Sequence, residues 1–301
     1  LCQIVLVWFQ LTDGGIDFHI ENRWRRCLHT TGIFLLGRRR MSSPWIASLI
    51  AIFVWWFSTG AILVAVRRAD RLGTHGMTVF MGLPLLAFGA WAVNQSLADV
   101  SVYGAYLGFA GALAIWGWIE LAFLAGVITG PQREDCPSGL APGDRFFRAF
   151  STVAYHELAL TLGLWGLVMA SVGAENRIAV AIYLVLFLAR ILAKLNLFYG
   201  VPRINLEFVP DRLVHLKSYF RRGPVTLAFP IAITVLTALL AVCAERLWTA
   251  GSEVTVVGFA LLTAMAALAL LEHWLMVVPL PDAKLWRWML PSPKTMTKEE
   301  R

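Results

Sequence analysis

From residue 41 onward the chain alternates long apolar runs with short polar connections, and seven runs approach the ~20 residues that a membrane-crossing helix requires. They cover roughly residues 45–66, 77–97, 103–128, 151–173, 177–200, 226–248 and 253–278. The pattern predicts an all-α integral membrane protein, a bundle of about seven transmembrane helices filling residues 41–290. Two connections are long. Residues 129–150, rich in Pro and Gly, predict irregular structure. In residues 201–225, Leu213, Leu216 and Phe220 recur at helical spacing with Arg212, Lys217, Arg221 and Arg222 on other faces. This predicts a short helix that either lies on the membrane surface or docks a partner protein; the periodicity is the same for both.

Composition supports the membrane reading. Of the 301 residues 58% are hydrophobic and 15% charged, with 13 tryptophans, which excludes an ordinary soluble domain. A net charge of +7 would suggest nucleic acid as a partner for a soluble protein, but here the basic residues sit between apolar runs. The connections after the first, third and fifth runs, with the C-terminal tail, hold sixteen Lys and Arg; the opposite side holds two, Arg177 and Arg246. That asymmetry predicts Met41 outside and the C-terminus in the cytoplasm, with 291–301 a cytoplasmic tail. Residues 1–40 differ from the rest, ending in Arg38, Arg39 and Arg40 on the wrong side for this rule. They are expected to be a non-native upstream extension ahead of a natural start at Met41, the other reading being a genuine basic amphipathic extension. Trp45, Trp55, Trp56, Trp248, Trp286 and Trp288 are expected to anchor span ends at the membrane interface. Gly104 and Gly108 form a small-xxx-small pair that permits close helix approach.

Polar residues inside the runs are the candidates for function, because an ionised side chain at a helix centre costs roughly 2.5–3.5 kcal/mol on insertion scales. They are Glu120, His156 with Glu157, Arg190 with Lys194, and Glu272 with His273. Measured from the run ends at ~1.5 Å per residue, Glu120, His156, Lys194 and Glu272 fall roughly 8–12 Å below the cytoplasmic boundary, with Arg190 somewhat deeper. Four spans therefore place polar groups in one layer. Arg190 and Lys194 share a helix face, whereas His156 and Glu157 point about 100° apart, so at most one member of each adjacent pair need face a common centre. Three carboxylates against two cations leave one negative charge over. Three readings stay open: an ion-pair network that fixes helix packing, a ligand site, or a proton or ion path. In the ligand reading, His156, His273, Glu120, Glu157 and Glu272 are candidates to bind a transition metal, or an imidazole binds the magnesium of a chlorophyll-type pigment.

Other chemistry finds no motif. The chain lacks HExxH, Glu-xx-His, a phosphate-binding glycine loop and GxSxG, and Cys2, Cys27, Cys136 and Cys243 form no metal-binding spacing. The seventh run has no lysine for a retinal Schiff base, and Pro84 and Pro230 do not mark matched transporter halves.

The segments MSSPWIASLIAIFVWWFSTGAIL, LARILAKLNLFYGVPRINLEFVPDRLVHLKSYFRR and LALLEHWLMVVPLPDAKLWRWML resemble the PuhE-type photosynthetic complex assembly proteins of purple phototrophic bacteria, encoded beside the reaction-centre H subunit. The resemblance runs from Met41 to about Pro291. It implies a multi-pass protein of the bacterial inner membrane that supports formation of reaction-centre and light-harvesting complexes, through bacteriochlorophyll supply or delivery. Its partners would be photosynthetic complex subunits or pigment-synthesis enzymes together with membrane lipid, and no nucleic acid. The competing expectation is a metal-dependent membrane enzyme of tetrapyrrole metabolism with a His/Glu centre. The resemblance carries no catalytic residues over.

Overall fold

A computed structural model describes residues 41–279. The upstream segment 1–40, with Cys2 and Cys27, lies outside the described residues, as do Pro281, Trp286, Trp288 and the tail 291–301. Eight α-helices occur among the described residues: α1 (Pro44–Leu72), α2 (His75–Met81), α3 (Leu83–Ser96), α4 (Val102–Leu124), α5 (Pro142–Ala170), α6 (Ile178–Tyr199), α7 (Ala228–Trp248) and α8 (Glu253–Leu275). They make seven spans long and apolar enough to cross a bilayer, α2 and α3 together forming the second. The protein is thus an all-helical membrane protein whose outward apolar faces contact lipid.

The break between α2 and α3 follows from Pro84, which has no N–H to offer the preceding turn. Trp118 of α4 reaches across to stabilise the interrupted turn, its indole N–H donating to Val79 O at 3.2 Å. We expect Trp118→Phe to keep the packing but lower stability in detergent by about 1 kcal/mol, the net value of one hydrogen bond, because Val79 O retains its bond from Gly82 N. An unchanged unfolding midpoint would show that the indole bond contributes nothing.

α4 is the central helix. Of its membrane-length window 61% is buried, against 17% for α1 and for α5. It lies close against α3 because glycines face each other: a Cβ on Gly111 would sit 2.9 Å from Val93 N, and one on Gly89 3.0 Å from Gly111 O. Gly104 and Gly108 serve other contacts, Gly104 lying against Asp99 O in the α3–α4 turn and Gly108 against Ser96 and the start of α6. α1 closes the bundle against α8 through Ala47 and Ala51, and Ser48 Oγ donates to Ala260 O at 3.4 Å.

Three stretches depart from the sequence expectation. α4 ends at Leu124 rather than near 128, and the following residues turn back along α5, where Thr129 O accepts from His156 N at 3.0 Å and Gln132 N donates to Ser151 O at 3.3 Å. The fourth span begins at Pro142, not 151, so only the first part of 129–150 is irregular. Proline is suited to the first helical turn, which needs no N–H donor there, and Asp144 adds favourable charge at that end.

Residues 201–225 contain two 3₁₀ segments, Leu206–Phe208 and Asp211–Ser218, rather than an amphipathic helix on the membrane. Leu213 and Leu216 are buried against Phe123 of α4, with Phe220 packed alongside, so the apolar side of this stretch is satisfied within the chain. Arg212, Arg221 and Arg222 remain exposed and Lys217 half-exposed. The segment joins several helix ends: Arg145 of α5 donates to Tyr219 O at 2.6 Å and stacks on Phe198, and Arg203 Nη1 donates to Val278 O at 2.7 Å. Burial lowers the proton affinity of His215 within it, Asp135 opposing the shift and Arg133 adding to it.

Trp45 and Trp248, at opposite extremes of their helices, are largely exposed, as interfacial residues are. Trp55 and Trp56 lie mid-helix in α1, away from the span ends where they were expected, and Trp55 lines an internal cleft.

Candidate functional site

The polar layer forms where α4, α5 and α6 meet. α4 presents Glu120 and, three residues on, Phe123; α6 presents Arg190 and Lys194 four residues apart on one face. Glu120 Oε2 accepts from Arg190 Nη2 at 2.9 Å, and Glu157 of α5 accepts from Lys194 Nζ. Two interhelical ion pairs therefore neutralise four of the five charges found in the runs. His156 is fully buried, and its imidazole stacks on Phe123 with ring centroids 4.1 Å apart and planes 23° apart. Its Nε2 is 3.7 Å from Glu120 Oε1, beyond hydrogen-bond range, so proximity to the carboxylate is electrostatic only. Arg190 and Lys194 approach the Phe123 ring at 5.8 and 5.7 Å, within reach of its negative face.

The arrangement corrects the one-sided view of adjacent residues. His156 and Glu157 both enter the layer, because α5 lies against α4 and α6 together: residues 100° apart each meet a different neighbour, His156 facing Phe123 and Glu120, Glu157 facing Lys194.

At α8 only one of the two candidates takes part in the cleft. Glu272 lines it and has no ion-pair partner among the described residues, so it is the unbalanced charge. His273 is buried, donates Nδ1–H to Ala269 O at 2.8 Å, and is not among the cleft-lining residues. Among the described residues no three His, Cys, Asp or Glu side chains gather as a metal centre would, so His156, His273, Glu120, Glu157 and Glu272 do not assemble into the metal set considered from the sequence.

The cleft itself opens between α1, α4, α6 and α8 and encloses about 230 Å³. Trp55 and Ser58 of α1 and Trp116 of α4 line its apolar length, and Glu120, Arg190 and Glu272 its charged end. The sequence reading missed two residues of this region. Phe123 was discoverable from its position three residues after Glu120. Asn196, a single amide in the sixth helix, is fully buried with neither side-chain polar atom hydrogen-bonded, an arrangement rare enough in proteins to mark the position.

Residues 41–297 match a family described as "Protein of unknown function (DUF3623)". A relative from Rhodobacter capsulatus, described as "Uncharacterized 30.4 kDa protein in puhA 5'region", is 49% identical over 254 residues, covering 84% of this chain and 93% of the relative. No solved structure matches the chain.

Proposed function

Because the chain belongs to the DUF3623 family and is 49% identical to a Rhodobacter capsulatus protein of the puhA 5' region, we propose that it is a non-enzymatic assembly factor for photosynthetic reaction-centre and light-harvesting complexes. The location of that 49% identical relative is the observation that carries the reading, together with the resemblance to the PuhE-type proteins. In this role the protein resides in the inner membrane with the basic connections toward the cytoplasm, and it acts on bacteriochlorophyll supply or delivery. The paired charges, Arg190 with Glu120 and Lys194 with Glu157, in this role hold α4, α5 and α6 together. The exposed Arg212, Arg221 and Arg222 are available to complex subunits or pigment-synthesis enzymes.

The test is deletion of the gene in a phototrophic host, followed by absorption spectra of membranes and complementation with wild-type, His156→Ala and His273→Ala chains. We expect deletion to lower the reaction-centre and antenna bands several-fold, and the two variants to restore them incompletely without accumulation of a pigment precursor. Unchanged complex levels on deletion would overturn the assembly role. One accumulated tetrapyrrole intermediate would replace it with an enzymatic one.

A further inference from the structure

The cleft carries an inference that does not depend on the role proposed above. Its two ends differ in chemistry: along α1 and α4 it is walled by Trp55, Leu113 and Trp116, and at the ends of α6 and α8 it meets Arg190 and Glu272. A purely structural ion-pair network would not leave Glu272 unmatched, nor the remaining N–H groups of Arg190 without acceptors. Arg190 has five N–H groups, and its hydrogen bond to Glu120 is the one it makes among the described residues, with Nε buried and unpartnered and 32% of the side chain exposed. Glu272 accepts from no residue described. The charged end therefore offers spare donors beside a spare acceptor, in the order Glu120 carboxylate, Arg190 guanidinium, Glu272 carboxyl.

A ligand that satisfies this order carries an anionic oxygen for Arg190 and a cationic donor for Glu272, attached to an apolar tail that fits the aromatic wall. An anionic lipid without an amine would place a second negative charge beside Glu272, and a simple fatty amine would leave Arg190 unsatisfied. We propose that the cleft binds the head of one phosphoethanolamine lipid from the surrounding bilayer, its phosphate on Arg190, its ammonium on Glu272 and the first methylenes of one acyl chain along Trp55 and Trp116, the rest of the lipid staying in the bilayer. Glu120 is a positioning residue in this site, since it holds the guanidinium in place.

The test is native mass spectrometry of the full chain, taken from detergent after equilibration with equal amounts of phosphatidylethanolamine and phosphatidylglycerol of matched chains. Wild type is expected to retain the ethanolamine lipid about tenfold over the glycerol lipid, the scale of one charge-assisted hydrogen bond. Glu272→Gln, which breaks no pair among the described residues, is expected to abolish the preference with an unchanged unfolding midpoint. Ala193→Trp, at a cleft-lining position without charge, is expected to reduce retention of both lipids. Equal retention by wild type, an ethanolamine preference that survives Glu272→Gln, or a coloured isoprenoid bound in place of lipid would each overturn the proposal. None of these readings depends on photosynthetic complexes, so failure here leaves the assembly role standing, and the reverse holds.

Discussion

Glu120→Ala is expected to destabilise the protein in detergent by about 3–5 kcal/mol, the loss seen when one partner of a buried ion pair is removed. The carboxylate is about nine-tenths buried and faces three groups at once: it accepts from Arg190, lies near His156, and stands one turn from Phe123. Its removal leaves a guanidinium in an apolar bundle beside Lys194 on the same helix face, with Glu157 already paired to Lys194 and Glu272 on another wall of the cleft. Replacing both partners, Glu120→Leu with Arg190→Met, should recover most of the loss, since an apolar pair of similar volume needs no compensation. Thermal unfolding of the wild type and these two variants measures this. If the single and double variants unfold alike, the loss comes from packing around Glu120 rather than from an orphaned charge.

Gly130→Ala should be comparably damaging for a different reason. The connection after α4 runs so close to α5 that a Cβ at residue 130 would collide with Ser151 O and the Thr152 backbone, atoms that cannot rotate away. Relief requires the connection to lift from α5, which breaks the bonds from His156 N to Thr129 O and from Gln132 N to Ser151 O. Overpacking of this kind costs about 1–3 kcal/mol and occasionally more, and here lost hydrogen bonds add to it. The expected signature is faster backbone hydrogen exchange over residues 125–135 and 151–157, with α1 and α8 unaffected. Wild-type exchange in those stretches would show that the connection adapts without strain.

The spans were legible because each is an apolar run of bilayer length, and a helix is the open-ended chain's way to satisfy its backbone there. The ends were less legible because polar residues at a span's edge are compatible with helix or loop: 142–150 looks like a loop by composition, yet Pro142 starts α5 there. Depth alone brought Glu120, His156, Glu157, Arg190 and Lys194 into one layer, since a charge in a bilayer needs a partner at its own height. Which helix each meets was not legible, because that depends on rotation about the helix axis, and a span that is apolar all round carries little record of it. This is why His273 was grouped with Glu272 although it is turned away from the cleft, and why Phe123 was passed over. Leu213, Leu216 and Phe220 illustrate the same limit outside the spans: their spacing shows that they need an apolar surface, and the surface proved to be α4.

The seam between α1 and α8 also fixes when the cleft can form. Ser48 and Ala260 meet across 212 residues, so the first span enters the bilayer long before the last one exists. Until then α1 lacks its α8 partner at Ala47 and Ala51, and the cleft lacks both its α8 wall and Glu272. Closure of the cleft therefore waits for α8. A chain interrupted before α8 would lack one wall of the cleft, so the cavity can receive a ligand only once α8 is in place.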